Sequence, residues 1–345
     1  MTGVTSLRSK ARDGEDRPDM LYHSMAPLRP YLLRDDVNEV VVNRPHEVWI
    51  EGPKGWQCFD APALGFQECL RLANLVANYN GKAIDEQRPI LSAGLIYGER
   101  AQFVIPPACE PGTVSITIRK PSVLDKTLEE LEIEGAFEEC KPISEELAPF
   151  EEELLQLKKN GRIREFLDMA VKKHRNILIV GKTGSGKTTI TKSLIRSIPA
   201  SERLITIEDV PELFLNHHAN KVHMFYGRED EGGSKVTPKF ALASCLRMKP
   251  DRILLAELRG DEAWDFIKSI NTGHPGSIST MHANGAFESF EQLTALIKDS
   301  RTGAHLETAY IKHRLFTTVD VVLFYDKRKL REIYYDPAYK RAQMA

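Results

Sequence analysis

Residues Asn176 to Thr189 read Asn-Ile-Leu-Ile-Val-Gly-Lys-Thr-Gly-Ser-Gly-Lys-Thr-Thr, and the rest of the chain is arranged around them. The apolar run from Ile177 to Val180 predicts a buried strand, because β-branched side chains pack well on a pleated sheet. The glycine-rich segment that follows matches the pattern Gly-x-x-x-x-Gly-Lys-Thr, and apolar residues at helical spacing come after it. A strand, a glycine loop and a helix in this order favour phosphate binding over a chance glycine turn.

The glycine loop has the composition that phosphate binding requires. Its glycines let the backbone curl tightly, so that successive N–H groups and the N-terminus of the following helix point at phosphate oxygens. The Lys187 ammonium can reach the β- and γ-phosphates, and the Thr188 hydroxyl can bind Mg²⁺. We therefore predict a P-loop NTPase domain that binds ATP and Mg²⁺. The residues assigned to the nucleotide are Gly181, Lys182, Thr183, Gly184, Ser185, Gly186, Lys187, Thr188 and Thr189.

Length and composition indicate a soluble protein with two domains. The chain has 345 residues, of which 42% are hydrophobic and 28% charged, and this length exceeds that of a typical single domain. Its net charge of −2 argues against a surface that binds polyanions generally. The five cysteines are scattered and lack zinc-site spacing, which predicts a reducing compartment and no structural metal. The polar N-terminus predicts no signal peptide, and no apolar run reaches the length of a membrane span.

The distribution of apolar and charged residues predicts four regions. Residues 1–20 are polar and are expected to be disordered, and residues 21–122 predict a small α+β domain. Residues 123–165 predict an acidic helical linker, because the stretch 125–153 carries twelve acidic residues against two lysines. Residues 166–345 predict a RecA-like α/β ATPase domain that contains the glycine loop.

Three apolar segments after the P-loop helix each end in a polar side chain. They predict parallel strands of one wound sheet, because helical patterns lie next to them in the sequence. In such sheets ligands bind outside the carboxyl ends of the strands. The strand-end side chains should therefore converge with Lys187 on one edge of the sheet. The segments and their terminal residues are Leu204–Ile207 with Glu208, Ile253–Ala256 with Glu257, and Ser277–Met281 with His282.

The polar side chains at this edge fit the needs of γ-phosphate hydrolysis. Glu257 is expected to hold Mg²⁺ or its water ligands, and Glu208 is the candidate for polarising the attacking water. Asp209 is interpreted as the neighbour that fixes the loop. His282 is expected to contact the γ-phosphate, and His274 is a further candidate for binding the nucleotide. The alternatives are a helix cap or turn carboxylate for each acid, and a local hydrogen bond for each histidine.

Four segments of the chain resemble the ordered sequence boxes of the secretion-superfamily traffic ATPases. Within that superfamily the chain most resembles the hexameric ATPase of VirB-type type IV secretion systems. The N-terminal part shares this resemblance in Val-Asn-Glu-Val-Val-Val-Asn-Arg-Pro (37–45) and Gly-Glu-Arg-Ala-Gln-Phe-Val-Ile-Pro-Pro (98–107), so the resemblance covers roughly residues 28–335. The boxes are the glycine loop, the aspartate box at 205–213, the strand-glutamate box at 246–260 and the histidine box at 272–284.

The resemblance also supplies an arginine for the γ-phosphate. Arg259, just past the Glu257 strand end, could stabilise the charge that develops there, and an arginine from elsewhere is the alternative. N-terminal-domain arginines of the family reach the γ-phosphate, and the matching positions here are Arg100 and Arg119. Without the resemblance, both would be interpreted as surface arginines on strands. The long linker leaves open which subunit's N-terminal domain covers which nucleotide site.

For the whole protein, the resemblance implies a ring-forming ATPase. It implies a two-domain protomer that assembles as a homo-hexamer, with the nucleotide bound between the domains. The expected activity is Mg²⁺-dependent hydrolysis of ATP that powers pilus assembly and substrate translocation. The expected location is cytoplasmic and peripherally associated with the inner membrane. Inner-membrane components of the secretion machine and coupling ATPases are the expected partners.

Several other functions are compatible with part of the sequence. A motor of type II secretion or type IV pili is disfavoured by the lack of a tetracysteine zinc insertion and by Pro275 after the first histidine of the last box. A Tad-type pilus motor is closer, and the N-terminal match disfavours it. A nucleic-acid motor is disfavoured by the net charge of −2, so direct nucleic-acid binding is not expected. A nucleotide-gated scaffold would not need the pair Glu208 and Glu257.

Overall fold

The computed structural model describes residues 19–121, 126–140, 146–227 and 236–344. The stretch expected to be disordered, 1–20, therefore lies almost wholly outside the described residues. The same holds for Arg228–Val236, of which only Val236 is described; its charges and glycines predict a mobile loop. None of the described helices is both long and apolar enough to cross a bilayer.

The first domain is built on an antiparallel sheet. Its helices are α1 (Asp19–Ser24), α2 (Arg29–Leu32) and α3 (Phe66–Tyr79), and its strands are β1 (Glu39–Val42), β2 (Glu47–Gly52), β3 (Gly55–Asp60), β4 (Ile90–Gly94), β5 (Arg100–Val104) and β6 (Ser115–Arg119). The strands pair in the order β3-β2-β1-β6-β5-β4. The amphipathic helix α3 buries Leu72 and Val76 in one core with Phe103 and Ile116 of the sheet.

The segment that joins the domains contains one helix without buried residues, and two amphipathic helices follow it. Helix α4 (Leu128–Ile133) has a capping box at its N-terminus and no buried residue. Helices α5 (Pro149–Lys159) and α6 (Ile163–Lys172) instead bury Leu154 and Phe166 in the core of the second domain. The acidic linker predicted for 123–165 is therefore too long at its C-terminal end, because α5 packs as part of the second domain.

The second domain is an α/β layer structure. After α6 come β7 (Ile177–Val180), α7 (Lys187–Ile195), β8 (Leu204–Glu208), β9 (Lys221–Phe225), α8 (Pro238–Cys245), β10 (Arg252–Leu255), α9 (Glu262–Asn271), β11 (Ile278–Met281), α10 (Glu288–Asp299), α11 (Thr308–Thr318), β12 (Val321–Asp326), β13 (Lys329–Tyr335) and α12 (Pro337–Met344). The strand order is β13-β12-β7-β11-β10-β8-β9, and all neighbours are parallel except β12 and β13. Alternate side chains of β7 enter separate cores on the two faces of the sheet.

A buried polar interface joins the two domains. Arg203, immediately before β8, is fully buried, and its Nη1 donates a 2.6 Å hydrogen bond to Asn43 Oδ1 of the first domain. Its Nη2 lies 3.5 Å from Thr117 Oγ1, and Gln102 Nε2 donates to Ser244 Oγ at 2.8 Å. Burial lowers the pKa of Arg203 to about 10, which leaves it charged at neutral pH. Because Arg203 precedes its strand, this contact lies at the amino edge of the second sheet, away from the glycine loop.

Candidate nucleotide-binding site

The glycine loop lies between β7 and α7, as predicted, and two of its glycines are required by geometry. Gly186 precedes α7 with φ = 102°, a left-handed conformation that glycine adopts at least cost. A Cβ on Gly181 would lie only 2.2 Å from the carbonyl oxygen of Tyr325 in β12, so no larger residue fits there. The loop is therefore packed against the β12 strand while its other side faces the carboxyl edge of the sheet.

Lys187 is folded into the loop that it is expected to serve. Its side chain is buried, and its ammonium donates hydrogen bonds to the carbonyl oxygens of Gly181 at 2.7 Å and Lys182 at 3.1 Å. Burial lowers the pKa of Lys187 below its ordinary value, and the nearby Glu257 carboxylate partly opposes that shift. The ammonium is thus a partly desolvated cation held by two neutral acceptors, an arrangement that favours exchange of those acceptors for phosphate oxygens.

The predicted convergence of strand-end residues holds for Glu257 and His282. Both follow strands of the second sheet, and β11, which precedes His282, lies between β7 and β10. The His282 Nε2 atom is 2.8 Å from Glu257 Oε1. Because Glu257 also acts electrostatically on Lys187, the lysine, the glutamate and the histidine lie at one edge, although 95 positions separate the first and last of them in the sequence.

Arg259 links two strand ends beside this group. Its Nε donates to Glu257 Oε2 at 2.6 Å, and its Nη1 donates to Asp209 Oδ2 at 2.9 Å. The ion pairs fix the ends of β10 and β8 relative to each other, which agrees with the loop-fixing role predicted for Asp209. They also neutralise Arg259, so in this conformation it is poorly available as a cation for the γ-phosphate.

Glu208 occupies a different position from the one its predicted role requires. Its side chain is fully buried, and Oε2 accepts hydrogen bonds from the backbone N–H groups of Glu212 and Leu213, each at 2.8 Å. Its Oε1 accepts the Thr206 hydroxyl at 2.6 Å and lies 3.2 Å from Nδ1 of the buried His223. Both carboxylate oxygens are therefore occupied, and in this conformation Glu208 braces the loop after β8 without facing the nucleotide.

Glu212 is a site residue that the sequence reasoning missed. Its exposed carboxylate reaches back to the glycine loop, where Oε2 lies 3.4 Å from Thr188 Oγ1. The Glu208 carboxylate accepts the Glu212 N–H and so holds this loop in place. A signal was present in the aspartate box, because Glu212 follows Glu208 by four positions. The expectation that site residues directly follow strands selects only Glu208, the first acid of the box.

The prediction that His274 binds the nucleotide is corrected by its position. His274 precedes β11, and its Nδ1 lies 3.0 Å from the carbonyl oxygen of Pro250, which precedes β10. It therefore sits at the amino edge of the sheet, and a four-residue strand of roughly 13 Å separates it from the carboxyl edge. Burial lowers the pKa of His274, which favours a neutral ring hydrogen-bonded inside the fold. Within one chain it cannot reach the glycine loop.

Arg100 and Arg119 lie together but away from the glycine loop of their own chain. They are directly opposite each other on β5 and β6. The Arg119 side chain is 71% exposed, and its Nε is 3.6 Å from Glu39 Oε1. Arg119 shares a sheet face with Thr117, which contacts Arg203 at the amino edge of the second sheet. The predicted contact of either arginine with a γ-phosphate therefore requires a nucleotide bound by another chain.

The oxygen atoms around the loop fit Mg²⁺. The Thr188 hydroxyl and the Glu212 and Glu257 carboxylates are hard donors of the kind that this ion prefers. Among the residues that the structure describes, no group of three or more His, Cys, Asp and Glu side chains could hold a metal ion alone. Mg²⁺ is usually bound through one or two protein ligands together with substrate phosphates.

Comparison with known proteins agrees with the architecture. Residues 144–323 match the family described as Type II/IV secretion system protein. The type IV secretion system protein VirB11 of Brucella suis is 46% identical over 327 residues, which cover 92% of this chain and 91% of the relative. Protein PtlH of Bordetella pertussis is 39% identical over 314 residues, covering 91% and 92%.

The solved structure of a relative extends this agreement to three dimensions. The crystal structure of the VirB11 ATPase from the Brucella suis type IV secretion system, in complex with sulphate, matches with a TM-score of 0.88 and 46% identity. The match covers 93% of this chain and 99% of that one. The RecA-like fold and the VirB-type resemblance predicted from the sequence are both confirmed. The chain belongs to the VirB11 family of type IV secretion system ATPases.

Proposed function

We propose that the chain hydrolyses ATP to ADP and phosphate in a Mg²⁺-dependent reaction that powers pilus assembly and substrate translocation by a type IV secretion system. The observation that carries this proposal is the carboxyl edge of the second sheet, where Lys187, Thr188, Glu257 and His282 surround the glycine loop. The VirB11 relatives are proteins of such secretion systems, which favours this motor over a motor of type II secretion or type IV pili and over a nucleic-acid motor.

The residues of the edge divide the chemistry between them. The N–H groups of the loop, the start of α7 and the Lys187 ammonium bind the phosphates and stabilise the charge that develops on them. Thr188 and Glu257 are the residues that would hold Mg²⁺, which would supply positive charge to the phosphates. His282, positioned by Glu257, donates a hydrogen bond to the γ-phosphate.

Glu212 is better placed than Glu208 to orient the attacking water. A water-orienting carboxylate needs an oxygen that faces the substrate, and both oxygens of Glu208 are occupied inside the fold. The exposed Glu212 carboxylate lies beside Thr188 at the glycine loop. In this proposal Glu208 acts through Glu212, by holding the loop that carries it.

The nucleotide site is completed in a ring of identical chains. The first domain contacts the amino edge of its own second domain, and the family implies arginines that reach the γ-phosphate. We therefore assign Arg100 and Arg119 to the site of a neighbouring chain in a homo-hexamer. The ring acts in the cytoplasm, peripherally at the inner membrane, with membrane components of the secretion machine and coupling ATPases as partners.

ATP turnover in Mg²⁺ and in EDTA, together with the mass of the particle, tests this function. We expect turnover with Mg²⁺, its loss in EDTA, and a mass of about six chains by light scattering with a non-hydrolysable nucleotide. A persistent monomer would contradict the ring. Turnover that is stimulated by nucleic acid and falls steeply with salt would favour a nucleic-acid motor instead.

Mixed rings distinguish an arginine of the neighbouring chain from one of the same chain. Neither Lys187→Ala nor Arg119→Ala chains should turn over ATP well alone. Mixed one to one before assembly, they should recover roughly a quarter of wild-type turnover, because random neighbours pair an intact loop with an intact arginine at that fraction of sites. Arg100→Ala is measured in the same way.

The matched control is a mixed ring of Lys187→Ala chains and Glu212→Gln chains. Both changes lie in the same half of the site, so no arrangement of neighbours restores a complete site, and we expect no recovery. Recovery of ATP turnover in this control would show that something other than an N-terminal-domain arginine restores the site in mixed rings. Absence of recovery with Arg119→Ala and with Arg100→Ala would remove both arginines from the neighbouring site.

A further inference from the structure

We propose that Arg328, in the turn between β12 and β13, is a ligand for the nucleotide phosphates at the glycine loop of its own chain. The proposal rests on the function proposed above and deepens it, because it adds a cation that needs no neighbouring subunit. It assigns Arg328 to the binding of ATP and ADP alike, at the end of the phosphate chain away from the carboxylates.

The backbone of this turn is fixed directly to the glycine loop. The Arg328 N–H donates a 2.9 Å hydrogen bond to the carbonyl oxygen of Ser185. A Cβ on Gly186 would lie 3.4 Å from Arg328 Cα and 3.7 Å from its Cβ and Cγ. The strand before the turn approaches Gly181 more closely still, because a Cβ there would lie 2.2 Å from the carbonyl oxygen of Tyr325. The base of the Arg328 side chain is therefore part of the wall of the phosphate loop.

The conformation of the turn is unusual for the residues it carries. Lys327 and Arg328 have φ values of 49° and 62°, both in the left-handed region, between the paired residues Asp326 and Lys329. Two-residue hairpin turns of this kind strongly prefer Asn and Gly, which adopt positive φ most easily. Strained positions of this kind cluster at ligand sites. Here the strain places two cations beside a phosphate loop.

The charge of Arg328 is available. Its side chain is exposed, and within the described part of the chain its guanidinium forms neither an ion pair nor a hydrogen bond. Two other cations near the loop are engaged, because Lys187 is held by backbone carbonyls and Arg259 by two carboxylates. A guanidinium can bind phosphate through two parallel hydrogen bonds. An ordinary surface arginine would share the exposure, but not the contact of its base with Gly186 and Ser185.

The side of the glycine loop on which Arg328 lies determines which phosphates it can contact. Strand β7 has β11 on one side and β12 on the other. His282 and Glu257 lie on the β11 side, where hydrolysis is proposed, and Arg328 lies on the β12 side. Its guanidinium therefore approaches the α- and β-phosphates, which ATP and ADP share. This position predicts an effect on nucleotide affinity and little effect on the chemical step.

Two single variants of the turn test the proposal. Arg328→Asn removes the cation and keeps a residue that tolerates positive φ, and Lys327→Asn makes the same change of charge and conformation one position earlier. We expect Arg328→Asn to weaken ATP, ADP and inorganic tripolyphosphate about tenfold, which corresponds to loss of one charge-assisted hydrogen bond. Lys327→Asn should stay within about twofold of wild type. Unfolding temperatures without ligand should agree between the two variants.

Three outcomes overturn the assignment. The first is wild-type affinity for all three ligands in Arg328→Asn. The second is equal losses in Arg328→Asn and Lys327→Asn, which would indicate a general charge effect. The third is weakened ATP with unchanged tripolyphosphate, which would place the contact at the nucleoside. Failure of the proposed function is distinct, because a wild-type chain that binds ADP but does not hydrolyse ATP would still allow the comparison of affinities.

Discussion

Replacing Lys187 by Ala should reduce ATP turnover by at least about a hundredfold, the effect expected when one positioned charge that stabilises a transition state is removed. The ammonium is buried in the loop, where it acts at short range without full screening by water. The structure offers no substitute on the γ-phosphate side, because among the described cations at this edge Arg259 is already paired with Glu257 and Asp209.

Lys182→Ala is the matched control for this change. Lys182 lies in the same loop and carries the same charge, but its side chain is exposed. Steady-state turnover and nucleotide affinity, measured for both variants, should separate a positioned cation from a general loss of charge. Similar turnover in Lys187→Ala and Lys182→Ala would contradict the role given to the loop lysine and, with it, the site built around the loop.

The parallel core of the second domain could be predicted from the sequence because buried strands are continuous apolar runs. Strands β7, β8, β10 and β11 all fall where such runs occur. The amphipathic helix α3 is marked in the same way, because the residues that it buries, among them Cys69, Leu72 and Val76, recur at helical spacing. In each of these elements, the apolar pattern that indicates burial lies within one short segment of the sequence.

Elements whose burial depends on distant partners carry a weaker signal in the sequence. β3 at the edge of the first sheet is partly exposed, with only scattered apolar residues. β9 carries the buried His223, whose ring meets Glu208 of a neighbouring strand rather than solvent. β4 (Ile90–Gly94), at the opposite edge of that sheet, has one fully buried residue, Leu91, among its five. Local patterns cannot show such pairings, because the partner residues lie far away in the sequence.

The position of a residue at the end of a strand predicted the sheet edge on which its side chain lies, but not the direction in which the side chain points. Glu257 and His282 follow their strands and face the loop, whereas Glu208 is still inside β8 and points into the fold. Successive side chains of a strand alternate between the faces, so one position decides between a substrate contact and a buried brace. His274 failed for another reason, because its loop precedes the strand instead of following it.

Glu212→Gln should keep ATP affinity within a few-fold and lower kcat by roughly a hundredfold, as expected for the loss of a residue that orients and deprotonates water. Gln has nearly the same shape as Glu but no negative charge, so it can fill the space beside Thr188 without acting as a base. The side chain is exposed, and within the described residues it accepts one hydrogen bond, from the Thr188 hydroxyl. The unfolding temperature should therefore stay close to that of the wild type.

Glu208→Gln is the contrasting variant, because it makes the same chemical change in a buried carboxylate that holds the loop after β8. One amide oxygen cannot replace a carboxylate that serves two backbone N–H groups, the Thr206 hydroxyl and His223. We expect a loss of about 2 kcal/mol in stability, seen as a lower unfolding temperature. ATP turnover should fall as well, because the loop that carries Glu212 loosens. If Glu212→Gln retains the wild-type kcat, the water-orienting role returns to Glu208 in a conformation that opens its buried oxygens to the nucleotide.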